Sequence, residues 1–485
     1  MKRLLLLLAA PLLGCPPSDL CQPEADSERT FFVRPALDPG PDNHTVAHTF
    51  HSIQAALDAA GGDRGRATIC VTRGTYREQL VIPPDTHLIA DPLQVKIRPP
   101  QTRAGTLPTA VDRILVTAAT GPEGSIVLDG IDVRGAGLCV DATGGGALTI
   151  RDSVVADCAV GLRARGGGTV TLDATPVDDH ALRGIDAMGS RVEVIDGTLL
   201  RNGRPALWHA QEAVLDAPAE SLWSKDLLPG RGAIAGQGAD IELSSVSIDE
   251  TEFDAAVVRL SGGTLVATDL RIGAQRPAAN TEGFLTGDAG GTGPVFSFEG
   301  TGAVLDRVVA RTEGLGLVVF TGGDNALSAT NLSWSGQLAT TSDASAGAAL
   351  SGTGSGIVRL LHTTLLGPEA AWGIDLDGGP WDVDITNGIL WGQTTGRGIR
   401  LPSGDAPTLQ DVLVEDDTLS GTGLITGQAP GLDDRAEGLL IPADSPARCA
   451  GTDQGVALDL NGDPRPFTDG KAPDLGAIEL QQACP

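Results

Sequence analysis

Three pairs of neighbouring carboxylates, Asp178–Asp179, Asp375–Asp377 and Asp416–Asp417, are the residues of this chain best suited by type and spacing to do chemistry. Inverting hydrolysis of a glycosidic bond needs two carboxyl groups roughly 6.5 to 9.5 Å apart, one acting as acid and one as base. Arg163 and Arg165, read against Asp186, supply the cation and carboxylate that an eliminating enzyme would use. The seven histidines form no Ser-His-Asp arrangement: His44, His48 and His51 cluster near the N-terminus, while His87, His180, His209 and His362 are scattered. None of the carboxylate pairs lies in a catalytic motif, and among 62 acidic residues adjacent aspartates arise by chance. No catalytic residue is assigned, and the reading leans away from an enzyme.

The elements that must position these residues repeat. Short segments of small residue, apolar, any, apolar or small start at Gly137, Gly161, Gly184, Ala206, Ala233, Ala256, Pro294, Gly316, Ala348, Gly373, Gly398 and Gly423, mostly 22 to 25 residues apart. A near-constant period of that size means one supersecondary unit stacked many times. Each repeat shows two strand patterns, for example Gly161–Arg165 followed by Val170–Asp173. Period-two alternation turns Leu162, Ile185, Ile374 and Leu376 inward and Arg163, Asp186, Asp375 and Asp377 outward. Glycine clusters such as Gly144–Gly146 and Gly262–Gly263 fall where the chain must turn a corner. With no helical pattern between strands, βαβ crossovers are excluded and a solenoid of short parallel strands remains. Because aromatic residues make up only 3% of the chain, stacked Val, Leu, Ile and Ala are expected to fill the interior.

Three intervals exceed the period, and all expand the same phase: Ser221 to Gly232, Arg276 to Gly293 and Ser335 to Gly347. Loops that grow at one phase of a solenoid emerge on one side, often the binding side. In alternate coils their roots stand about 9 to 10 Å apart. Trp208, Trp223 and Trp334 lie on or beside these loops, and an exposed aromatic face suits sugar contact. Trp208, Trp223 and Trp334, with Arg163 and Asp186, are therefore the candidate ligand-binding residues.

The formal charge of −28, from 34 basic and 62 acidic residues, argues against nucleic acid as a partner. Met1-Lys2-Arg3 followed by Leu4–Leu8 reads as an export signal, and no later stretch is long and apolar enough to span a bilayer. Beyond Cys15, six cysteines remain: Cys21, Cys70, Cys139, Cys158, Cys449 and Cys484. Sequence neighbourhood favours pairing them in that order, with the middle pair the least determined. Asp459, Asn461 and Asp463 alternate like calcium ligands but lack a closing glutamate, so no metal or other cofactor is expected.

Three resemblances extend this reading. Leu12-Leu13-Gly14-Cys15 resembles the bacterial lipobox, which implies cleavage after Gly14, lipidation of Cys15, and anchoring at the outer membrane or cell surface. The segment Thr49–Ala60, followed by Ile69–Ile82 with its Gly74-Thr75-Tyr76 turn, resembles the N-terminus of right-handed parallel β-helix proteins of the pectin-lyase-like group. There Phe50, Ile53, Ala56 and Leu57 would form the apolar stripe of a helix that plugs the coil. Asp444–Ala447, Asp459–Pro466 and Asp474–Glu479 resemble the closing segment called a choice-of-anchor Q domain, with Arg465 expected to pair with Asp474 or Glu479 to fix an end cap. The expected fold is thus all-β: a right-handed, single-stranded parallel β-helix of about twelve or more coils with a short N-terminal capping helix. Its organisation would be signal peptide 1–14, tether 15–48, capping helix and first coils 49–136, repeats 137–435 and closing segment 436–485. A monomer that binds polysaccharide or another extracellular polymer without catalysis is the expected function. The alternatives are a diverged polysaccharide lyase or hydrolase and a purely structural stalk.

Overall fold

A computed structural model describes residues 30–35, 49–61, 66–100, 114–203, 231–249, 256–274, 294–313, 316–337, 348–367, 372–392, 398–402, 404–435, 438–465 and 471–482, together with Cys21 and Thr251. Among these the chain is a right-handed parallel β-helix, the hand that strand-to-parallel-strand connections adopt. Each coil visits three faces. In one coil they are Leu138–Thr143, Ala147–Arg151 and Val154–Ala156, and the next coil repeats them at Val160–Arg165, Thr169–Asp173 and Val177–Asp178. From Gly232 onward, strands such as Val258–Ala274 and Ile374–Trp391 run through the corners without a break. Twelve strands pair successively along the first face, from Leu80–Ile82 to Ile399–Arg400.

The third face is the element that the two-strand reading missed. Leu148 to Val155 looks like one run in sequence, but Asp152 takes a positive φ of 48° and bends the chain there. The same single-residue corner recurs at Asp196, Asp269, Asn331, His362, Asn387 and Asp411. Aspartate and asparagine tolerate this conformation because their short polar side chains bond locally, so a sharp bend needs no glycine. The other corner does need it: a Cβ on Gly144 would lie 1.8 Å from the Thr120 carbonyl oxygen.

The coil count changes at one point. Ile185 pairs directly with Ile234, a single step of 49 residues, and the Ala206 repeat start lies outside the described residues. Inside, Val140, Leu162, Ile185, Ile234 and Val258 form a continuous aliphatic ladder. Each such buried side chain contributes roughly 1.5 to 3 kcal/mol. Further along, the interior is aromatic instead. Phe296, Phe298, Phe320 and Trp381 follow one another with centroids 5.8, 6.4 and 5.1 Å apart, so the few aromatic residues are used inside the coil.

The N-terminal helix, Ile53–Gly61, buries Ile53, Ala56, Leu57 and Ala60 against the core. Its first turn is capped from the neighbouring coil: the Glu78 carboxylate accepts from the Ile53 and Gln54 amides at 2.9 and 3.0 Å and from Ser52 Oγ at 2.6 Å. The closing segment behaves differently from the end cap that was expected. It runs back along the outside of the coil as a strap, reading the corner residues in turn. Asn387 exchanges two bonds with the Thr452 backbone, Arg465 donates to His362 Nδ1 at 2.8 Å, and Asn331 donates to the Leu458 carbonyl at 2.9 Å. Arg465 meets Glu479 at 3.4 Å as the sequence suggested, but this pair fastens the strap to the side wall. The open end of the coil is met instead by the partly buried Leu401, Leu419 and Leu424.

Candidate functional site

The outward column of the first face gathers more of the candidate residues than any other part of the described coil. Thr117, Asp141, Arg163, Asp186, Ala235, Arg259, Ser297, Val319, Ser351, Asp375 and Arg400 follow one another rung by rung. Arg163 donates through Nε and Nη2 to the two oxygens of Asp141, both at 2.9 Å, and Arg165 adds a bond at 3.0 Å. Arg183 donates to Asp186 at 2.8 Å. The register faces these side chains outward as alternation requires, yet Arg163 and Asp186 are both 0% exposed and Asp141 only 1%. This corrects their reading as accessible ligand contacts. Buried charges persist only when paired, and here signs alternate along the column as Asp, Arg, Asp.

The buried group is locked from behind. Cys139, two residues before Asp141, is disulfide-bonded to Cys158 across 19 residues, which closes nearly one full coil into a covalent ring. Sequence neighbourhood alone leaves this pairing the least determined of the three. The corner before each first-face strand in fact lies directly beside the first-face strand of the preceding coil. His180 sits on the next corner, fully buried, accepting from the Cys158 amide on Nδ1 and donating from Nε2 to the Val155 carbonyl. Burial lowers its pKa to about 4, which keeps the ring neutral. Cys21–Cys70 is also formed, and Cys449 is disulfide-bonded.

At the far end of the same column the environment reverses. Arg400 grips Asp375 with bonds of 2.5 and 2.8 Å, and its guanidinium lies 5.3 Å from the centre of the Trp372 ring. Arg400 is exposed, Asp377 is exposed beside it, and Trp372 is partly so. Trp372 is the tryptophan that the described first face presents outward, and the sequence reading passed over it. Its position directly before the Gly373 repeat start was the available signal. Trp334 goes the other way: it is 0% exposed and stacks inside the coil between Ala310 and Leu365. This corrects its reading as an exposed ligand contact beside a loop. Trp208, Trp223, Cys15 and Cys484 lie outside the described residues.

The expanded intervals do share a phase. The described chain leaves the third face after Gly203, Ala274 and Gln337 and returns to the first face at Arg231, Pro294 and Ala348. A further departure of this kind, after Pro100, precedes Ile114.

Each carboxylate pair has its own occupation. Asp179 is held by Arg201 of the next coil at 2.5 and 2.8 Å, and that bond keeps its pKa below the usual carboxylate range. Asp178 accepts from the Leu200 amide at 2.8 Å; burial, and then the charge of Asp179, push its pKa up. Asp416 is buried and accepts from the Gly398 amide and from the amide and hydroxyl of Thr418. Asp459 directs its oxygens at the amides of Asn461, Asp463 and Glu479 and so staples a turn in place.

No protein-family model matches this chain. No curated protein matches it. Solved structures similar to it include pectate lyase Pel9A, at 12% identity, TM-score 0.34, covering 93% of this chain and 96% of that one. The catalytic domain of a GH87 alpha-1,3-glucanase in complex with tetrasaccharides gives 12% identity, TM-score 0.37 and coverage of 84% and 70%. An alginate lyase from Paenibacillus sp. str. FPU-7 gives 11%, 0.31, 68% and 95%. At these values the chemistry of the coil must be read from its own residues.

Proposed function

We propose that this chain is an exported β-helix, lipid-anchored through Cys15 and closed by a choice-of-anchor Q-like strap, that binds polysaccharide or another extracellular polymer without cleaving it. The observation that carries the reading is the occupation of the carboxylates. Those of Asp179, Asp375, Asp141 and Asp269 are each forked onto an arginine one coil further on, at 2.5 to 2.9 Å. Carboxylates committed to neutralising a neighbouring guanidinium stitch coils together and are poor acids and bases. An outer wall so stitched suits a rigid surface for a long ligand, with Trp372, Arg400 and Asp377 offering an aromatic face and polar groups at one end. The test is binding of the purified chain to a polysaccharide panel, run beside an assay for new reducing or unsaturated ends. Retained binding without product is expected, and product formation abolished by Asp178→Asn would overturn it.

The rival reading, a diverged lyase or hydrolase, is favoured by one observation: the pKa values of Asp178 and Asp179 are driven apart, as in acid and base pairs. Both side chains bond residues of the same following coil, side by side on one strand end, where a substrate would have to lie between them.

A further inference from the structure

We propose that the N-terminal end of the third face is a cationic track that binds an acidic polysaccharide through its carboxylate or sulfate groups. This rests on the polymer-binding reading above and assigns the ligand class. Strands Gly74–Arg77, Val95–Arg98 and Ile131–Arg134 stack in register, with Arg77 opposite Arg98 and Val133 opposite Ile97, so that Arg134 falls beside Arg98. Tyr76, Ile97 and Val133 are buried inward, which turns Arg77, Lys96, Arg98 and Arg134 outward. Adding Arg73, exposed just before the first strand, five cations gather around Asp132. Asp132 is already shared between Arg98 Nη2 at 3.1 Å and Arg134 Nε at 2.8 Å. Glu78, the next residue after Arg77, is turned away and committed to the N-terminus of the helix.

Among the described residues the side chains of Arg73, Arg77 and Lys96, all exposed, make no hydrogen bond or ion pair. Elsewhere on the outer wall Arg151, Arg163, Arg201, Arg307 and Arg400 each reach a carboxylate of a neighbouring coil. Like charges stacked about 4.8 Å apart repel. Nothing in the fold requires cations at solvent-facing positions, and in a chain of net charge −28 this sign inversion is local. The same column continues as Ala156 and then Asp178, so the track covers three coils, about 10 Å. A row of that kind fits a single strand bearing regularly spaced anions. An anionic bilayer is a broad surface that a chain of net charge −28 repels, whereas one polymer strand need touch only the track.

The experiment measures binding of the whole chain to immobilised polygalacturonate and alginate, with dextran as neutral control and phosphatidylglycerol vesicles as a separate arm. Affinity for the acidic polymers should fall with added salt, and Arg77→Glu with Lys96→Glu should lower it by about tenfold or more. Arg359→Glu, on the outer wall away from both the track and Trp372, should leave it unchanged. Undiminished binding by the double variant overturns the track, as does binding to vesicles without binding to polygalacturonate. Binding to dextran alone overturns the track while leaving the polymer-binding reading intact, and silence toward every polymer overturns both.

Discussion

Asp141–Arg163 and Asp375–Arg400 occupy the same outward column of the same face and make the same two-pronged bond, yet one pair is buried and the other faces solvent. Identical local sequence logic therefore yields two different physical objects. In water the fork is a weak tie between adjacent coils, because solvent screens it and two long side chains must be ordered to form it. Under burial each partner is held hostage by the other, since a lone charge left behind has no solvent to turn to. The buried pair also sits beside the disulfide and the neutral His180, whereas the exposed pair sits beside Trp372 and leaves its surroundings open. One region is built for permanence and the other for contact.

The largest break in this symmetry should come from Arg163→Ala, which leaves the buried Asp141 to the half-buried Arg165 alone and should lower unfolding stability in denaturant by about 3 to 5 kcal/mol. A loss no greater than that of Arg400→Ala would show the two pairs to be equivalent. Next comes acid. His180 has its folded pKa depressed to about 4 against roughly 6.5 unfolded, so the unfolded chain binds more protons between those values. Stability is therefore complete above about pH 6.5 and should fall by about 3 kcal/mol as pH drops to 4. A His180→Asn variant followed over the same titration should lack that share of the slope. Opening the covalent ring with Cys139→Ala and Cys158→Ala should also cost about 3 kcal/mol by the loop-closure argument, read from the shift in the unfolding midpoint. The smallest effect belongs to Arg400→Ala, below about 1 kcal/mol and diminished further by salt.

Much of the fold was legible because a solenoid repeats its instructions. Gly161-Leu162-Arg163 and Gly184-Ile185-Asp186 announce the same strand twice, and the helix stripe of Ile53, Ala56 and Leu57 is a matter of period alone. The third face escaped because a bend made by one residue such as Asp152 leaves no gap in the apolar pattern. The candidate site was less legible still. Alternation gave the direction of Arg163 and Asp186, but not what each would meet there.

The sequence by itself determined the period, the parallel coil, the inward and outward sides of each strand and the capping helix, since these follow from backbone geometry and hydrophobic spacing within a few residues. Only the tertiary structure decided that Asp141, Arg163 and Asp186 are shut from solvent, that Cys139 faces Cys158, that the C-terminal segment straps the side wall, and that Arg77, Arg98 and Arg134 fall in one row. Burial and juxtaposition are set by which coils stack on which, and that stacking joins residues 20 to 50 positions apart whose local sequences carry no record of one another.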